Sequence, residues 1–214
     1  AGIYPASGND TAGMINTEQL RTVEDRCIQD VVAKQEAVGL QAVTDGEFRR
    51  AWWHFDFLAG LDGVELVQGQ KSIQFQGVQT KSESIAVTAK VDFGNHPMLD
   101  HFRFLQKTTR VTPKMTIPSP TVLHFRGGRE AISKTVYPDM DAFYQDTAAA
   151  YRKAVQAFYE AGCRYLQFDD TVWAYLCSEK ERAAVRARGE EPDALPAIYT
   201  EMINYALAGK PADM

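Results

Sequence analysis

Apolar residues recur at helical intervals early in the chain and at alternate positions further on. Leu20, Val23, Cys27, Val31 and Val38 predict an amphipathic helix over 18–38, with Thr17 as its N-cap and Gly39 as its stop. The Gly-, Asn- and Ser-rich residues 1–16 read as loop. "LQAVTDGE" (40–47) reads as a short buried strand ending at Asp45 and Glu47. Residues 63–93 then change period: "KSIQFQGV" and "ESIAVTAKVDF" alternate apolar and polar positions, which predicts a solvent-facing antiparallel hairpin decorating one end of the domain. "DHFRFLQKTT" (100–109) reads as a short helix and "RVTPKMTIPSP" (110–120) as a strand broken by prolines at its end. Phe143, Thr147, Tyr151, Ala154 and Phe158 share one face of a predicted helix over 139–161, closed by Gly162. The strand "CRYLQFDD" (163–170) and a last helix over about 193–208, introduced by Pro192 and Pro196, complete the pattern.

Alternating helices and apolar strands imply an α/β fold with a parallel sheet covered by helices. In such folds chemistry sits at the carboxyl ends of the strands. Three strands end in polar groups: "TDGE" at 44–47, "PSPTVLH" at 118–124 and "FDDT" at 168–171. A parallel sheet brings all three to one rim.

Composition narrows the partners. The 214 residues are 45% hydrophobic and 24% charged, with a formal net charge of -5, which suits one globular domain. A mildly acidic chain argues against nucleic acid or an anionic membrane as main partner, since both select for clustered Lys and Arg. The densest basic run, "EKERAAVRARGEE" (179–191), is interleaved with acids and reads as a solvated helix face. No apolar run approaches the roughly 20 residues of a membrane span. Three cysteines without a CxxC pair, and a beginning without signal-peptide character, fit a cytoplasmic protein. GxGxxG, GxxxxGK[ST], HExxH and GxSxG motifs are all absent, which counts against nucleotide-binding, zincin and serine-hydrolase chemistry.

Glu47 and Asp169 are the first candidates. Two carboxylates at strand ends could hold a cationic amine, act as acid and base, or bind a metal; alternatively they cap helices or pair with Arg49 and Arg50. Asp170 reads as a supporting group or a helix cap. His124 could face the rim, although a packed histidine is the simpler reading. Cys163 lies at the amino-terminal end of its strand and reads as core, and Cys177 could approach the rim. "FRRAWWHFDF" (48–57) reads either as a core plug or as an aromatic wall for a flat ligand, with arginines positioned for a carboxylate.

"KQEAVGLQAVTDGEFRRAWWHFDFLAGLDGVE" and "YEAGCRYLQFDDTVWAYL", in this order, resemble the cobalamin-independent methionine synthase family, in its short single-barrel branch. "IPSP" (117–120) falls where that family has a Gly-Pro or Ser-Pro turn. The resemblance implies a (β/α)8 TIM barrel, of which residues 1–214 would form a single-domain partial barrel, roughly strands two to four, with the 63–93 hairpin as an insertion. It implies methyl transfer from methyltetrahydrofolate to the thiol of homocysteine, on a zinc ion that holds the thiol as thiolate. By motif, Glu47 and Asp169 would hold the ammonium of the amino-acid substrate, with His124 and Trp173 as weaker candidates for lining the pocket. The family's opening "GS[FY]P" strand would precede this chain. Its zinc ligands would lie beyond Met214, so none is expected here. A half barrel would expose unpaired edges, which a longer protein or a second chain, including a homo-oligomer, would cover. The resemblance leaves two other outcomes open: a zinc-dependent thiol alkyltransferase that opens epoxides, and a non-catalytic partial barrel.

Overall fold

The computed structural model describes residues 17–68 and 83–214; the predicted loop at 1–16 and the tip of the 63–93 hairpin lie outside the described residues. Helix α1 runs over Thr17–Ala37, with Glu18 in its first turn and Lys34 in its last, each suited to its end of the helix dipole. Its inward face is turned from the predicted one. Ile28 and Val32 are buried, whereas Val23 and Val38 are exposed. The helix docks through its carboxyl-terminal half, where Ile28 and Val32 form a small cluster with Val43 and Leu105.

The parallel strands are short. β1 (Ala42–Val43) pairs with β4 (Thr112–Pro113), and β5 (Met115–Pro118) pairs with β6 (Leu166–Asp169). The Lys114 amide donates to Val43 O (2.8 Å) and the Met115 amide to Tyr165 O (3.0 Å). The run 112–118 therefore changes partner at Lys114 and lies between β1 and β6. Between these strands come α2 (Phe55–Leu58), the antiparallel pair β2 (Asp62–Gln68) and β3 (Glu83–Asp92), and α3 (Met98–Thr108). Val64, Ile85, Val87 and Val91 are buried, so the pair packs one face into the core and leaves the other wet. Gly63 sits at φ 76 in the irregular register of this pair, where an added Cβ would meet Lys90 O at 2.4 Å.

After β5 the chain enters α4 (Pro120–Phe125), not the strand end predicted for "PSPTVLH". Ser119 is extended (φ -64, ψ 152) and Pro120 opens the helix, where its fixed φ and missing N–H suit the first turn. All six residues of α4 are buried. A short, fully buried apolar run has no period to separate helix from strand. A 3-10 turn (Gly128–Ala131) leads to α5 (Met140–Glu160), whose N-cap Asp139 accepts from the Asp141 amide (3.1 Å). Phe143, Thr147, Tyr151, Ala154 and Phe158 are all buried along it, as the spacing predicts. Helices α6 (Val172–Leu176), α7 (Glu179–Ala187) and α8 (Leu195–Leu207) complete the layer, with α8 packing Tyr199, Met202 and Ala206 inward. Phe57, Phe102, Phe143 and Phe158 are fully buried and anchor the main core; each contributes about 1.5–3 kcal/mol.

Candidate functional site

In the β5–β6 pair, Thr116 lies opposite Gln167 and Pro118 opposite Asp169. Side chains alternate along a strand, so Thr116, Gln167 and Asp169 share one face and Met115, Ile117, Leu166 and Phe168 share the other. Met115 and Ile117 are buried and hold that second face to the core.

Glu47 reaches the first face from the turn after β1. The turn is tight: Gly46 has φ 66 and Glu47 has φ 58, the one positive φ among described non-glycine residues. The Glu47 amide donates to Asp45 Oδ1 (2.9 Å), which helps to fix that conformation. The carboxylate crosses to β5, where Oε1 accepts from the Thr116 hydroxyl (3.1 Å) and from Arg50 Nη1 (3.1 Å). The Arg50 side chain is only 2% exposed. Its Nη1 also lies 3.4 Å from Thr116 Oγ1, and its Nη2 lies 3.6 Å from Met115 Sδ. Asp169 ends β6, and its Oδ1 accepts from Gln167 Nε2. The Ser119 amide donates to the Asp169 carbonyl (2.8 Å), locking β5 to β6 at the rim. Glu47 and Asp169 thus flank one polar patch, joined through Thr116 and Gln167.

Asp170 has a different role. Its Oδ1 accepts from the Thr121 hydroxyl (3.0 Å) and from the Val172 amide (3.0 Å), tying the start of α6 to α4. Its Oδ2 is buried without a partner among the described residues, as are Ser119 Oγ and the Tyr151 hydroxyl.

His124 does not open onto this patch. It is fully buried, with Nδ1 2.7 Å from the Tyr199 hydroxyl and Nε2 2.9 Å from Glu190 Oε1 and 3.2 Å from the Tyr144 hydroxyl. An ionised Glu190 can only accept, so Nε2 carries a proton toward it. Burial raises the Glu190 pKa, but its bonds and charges with His124 and Arg188 outweigh burial and hold it below its ordinary value. Burial pushes the Tyr144 and Tyr199 hydroxyls well above theirs. His124 therefore ties α4, α5 and α8 together.

Trp173 stacks edge-on against Tyr199 and lines a groove of about 390 Å³ with Ser119, Leu166, Phe168 and Asp170. Leu166 and Phe168 belong to the face of β6 opposite Asp169, so the structure does not bring Trp173 together with the carboxylate pair.

The segment 48–57 is only partly buried: Phe55 and Phe57 enter the core, whereas Phe48 is exposed. Trp52 Nε1 donates to Glu83 Oε2 (2.6 Å), and His54 is fully buried between Trp53 and Phe55. Arg49 pairs with Glu24 (3.2 Å) and Asp25 on α1, and Arg50 with Glu47, so both arginines serve acids of this chain. Cys163 is buried and its thiol is pushed up by burial; Cys27 is half-buried and Cys177 exposed. Among the described residues no group of three or more His, Cys, Asp or Glu could hold a metal ion, and no helix is long and apolar enough to cross a membrane.

The sequence alone does not single out Thr116 and Gln167 as neighbours of the candidate acids. The signal that finds them is the parallel register, which only the paired strands reveal.

Comparison with known proteins agrees with this architecture. The family model described as "Cobalamin-independent synthase, Catalytic domain" matches residues 6–189. Two uncharacterized proteins of Bacillus subtilis (strain 168) are similar: YxjH is 50% identical over 213 residues, 99% of this chain and 56% of that protein, and YxjG is 51% identical over 205 residues, 95% and 53%. The chain thus spans about half the length of these curated relatives. Among solved structures, the proposed vitamin-B12 independent methionine synthase of Listeria monocytogenes superposes with a TM-score of 0.77 at 43% identity, over 96% of this chain and 56% of that one. A B12-independent methionine synthase of Shewanella sp. W3-18-1, in complex with selenomethionine, gives 0.61 at 18% identity over 91% and 51%, a likeness of fold alone. The parallel strands with their covering helices are a partial TIM-type barrel of the methionine synthase kind, and the chain belongs to the cobalamin-independent synthase family.

Proposed function

We propose that this chain supplies the amino-acid-binding part of a methyltransferase that moves a methyl group from methyltetrahydrofolate to the thiol of homocysteine, giving methionine. One observation carries the proposal: Glu47 and Asp169 flank one polar patch at the strand ends, each with one carboxylate oxygen held by the protein and the other without a partner among the described residues. Two such oxygens suit an α-ammonium group, which offers three donors and a positive charge. They would repel an anionic acceptor such as a sulfonate thiol, which favours an amino acid over the acceptors of epoxide-opening relatives. Held by its ammonium, the substrate would present its thiol in a fixed direction, lowering the entropic part of the barrel's task.

The family resemblance couples this chemistry to zinc, which when bound would supply a thiolate nucleophile at neutral pH. The described residues do not fit such an ion, and no step is assigned through it. Homocysteine and methyl-folate are small soluble substrates, in keeping with a cytoplasmic enzyme.

Asp169→Asn in the complete protein, of which this chain would be a part, tests the proposal. The fold should persist while KM for the thiol amino acid rises, since losing one charge-assisted bond costs roughly 1.5–3 kcal/mol. An unchanged KM would remove Asp169 from the site.

A further inference from the structure

The Glu47 and Asp169 carboxylates are held alike. On each, one oxygen is engaged: Glu47 Oε1 by Thr116 and Arg50, Asp169 Oδ1 by Gln167. Thr116 and Gln167 are register partners on adjacent parallel strands. Both are uncharged, both are half-buried, and both stand on backbone fixed by strand pairing. Neither is needed to fill the core, which lies on the opposite face.

We propose that Thr116 and Gln167 are positioning residues that decide which oxygen of each acid is offered to the substrate ammonium. A free carboxylate at a strand end rotates about its last torsion, which is broad and roughly two-fold. Occupying one oxygen from below leaves the other directed away from the strands. Arg50 shares the work at Glu47 and supplies the countercharge, but a buried guanidinium is a poor probe, because removing it strands Glu47 as well. The two neutral residues isolate positioning from charge. The inference rests on the amino-acid-binding reading given above and names residues that reading does not include.

Thr116→Val keeps the β-branched shape and removes only the hydroxyl; Thr116→Ser restores it. Gln167→Leu removes the amide at similar size, and Gln167→Glu places a second negative group beside Asp169. Calorimetric titration of the full chain uses two probes, L-methionine and 4-(methylthio)butanoate, which lacks only the amino group. Each of Thr116→Val and Gln167→Leu should weaken L-methionine about five- to tenfold, the worth of one hydrogen bond. Thr116→Ser should recover most of that loss. Binding of 4-(methylthio)butanoate should not change in Thr116→Val, Thr116→Ser or Gln167→Leu, because it has no ammonium for the acids to meet. A merely structural role would weaken both probes together and lower the melting temperature.

The outcomes separate the two claims. If the wild-type chain binds L-methionine no better than 4-(methylthio)butanoate, the acids do not hold an ammonium and both claims fall. If the wild type discriminates but Thr116→Val and Gln167→Leu discriminate equally well, the acids stand and the positioning role is overturned. Loss of discrimination in those variants, with rescue by Thr116→Ser, establishes it.

Discussion

Two clusters in this protein use overlapping residue types to different ends. Around His124, which is fully buried, both ring nitrogens are engaged by Tyr199, Tyr144 and Glu190. Around Glu47 and Asp169, each carboxylate has one oxygen engaged and one without a partner among the described residues. The first arrangement holds helices together. The second keeps hydrogen-bonding capacity that the described residues do not use, which is what the amino-acid-binding proposal assigns to a substrate ammonium. A histidine beside acids and tyrosines is not in itself a sign of chemistry; what separates brace from site is where the remaining hydrogen-bonding capacity points.

The sharpest way to break this contrast is His124→Phe. The ring is retained, but the Tyr199 hydroxyl and the Glu190 carboxylate lose a buried partner. A cost of roughly 2–4 kcal/mol is expected, a fall in Tm of about 5–15 °C for a domain of this size, with acceptor affinity kept. A variant with unchanged Tm and weakened acceptor binding would move His124 from brace to site.

His54 extends the comparison to a ring with no hydrogen-bond partner among the described residues. Both its nitrogens are buried and unsatisfied among the described residues, and burial, with the Arg126 charge added, pushes the ring from 6.5 down to about 3. The folded pKa is the lower one, so between 6.5 and about 3 the unfolded chain binds more protons. Stability is therefore complete above pH 6.5 and is lost as pH falls through that window, by at most about 1.4 kcal/mol per pH unit. His101, pushed by burial down to about 4, adds to the same trend. Denaturant melts at pH 7, 6 and 5 should show the loss, and His54→Phe should reduce its slope, leaving the part that His101 contributes. An equal slope in that variant would clear His54 of responsibility.

The smallest effect separates neighbours. Asp170→Ala removes the acceptor for Thr121 and the Val172 amide and should cost about 1 kcal/mol, as for a lost helix cap. KM for the acceptor should stay put. A raised KM would make Asp170 a ligand contact like Asp169.

Legibility in the sequence followed the length of the pattern. Helix α5 repeats its apolar positions over six turns, and every residue named for its inner face is buried. Helix α1 is present but rotated: Ile28 and Val32 carry its buried face, Val23 is exposed, and Val38 lies past the helix end. The "PSPTVLH" segment carried no usable period and became α4. Glu47 and Asp169 were legible because acids at the ends of apolar strands are conspicuous. Thr116 and Gln167 were not, since polar residues in strands are ordinary and their pairing is a fact of register. Trp173 lay near an acidic strand end in sequence and fell on the other face in space.

Glu47 occupies a backbone conformation, φ 58, that glycine would adopt more comfortably, at a cost to a side-chain-bearing residue of about 1–2 kcal/mol. For protein engineering this sets a trap. A redesign that ranks positions by backbone fit alone would choose glycine at 47, gain a more tolerant chain, and delete one of the two acids in the same stroke. Consensus-free thermostabilisation of this scaffold should therefore freeze the Asp45–Arg50 turn before any other position is varied.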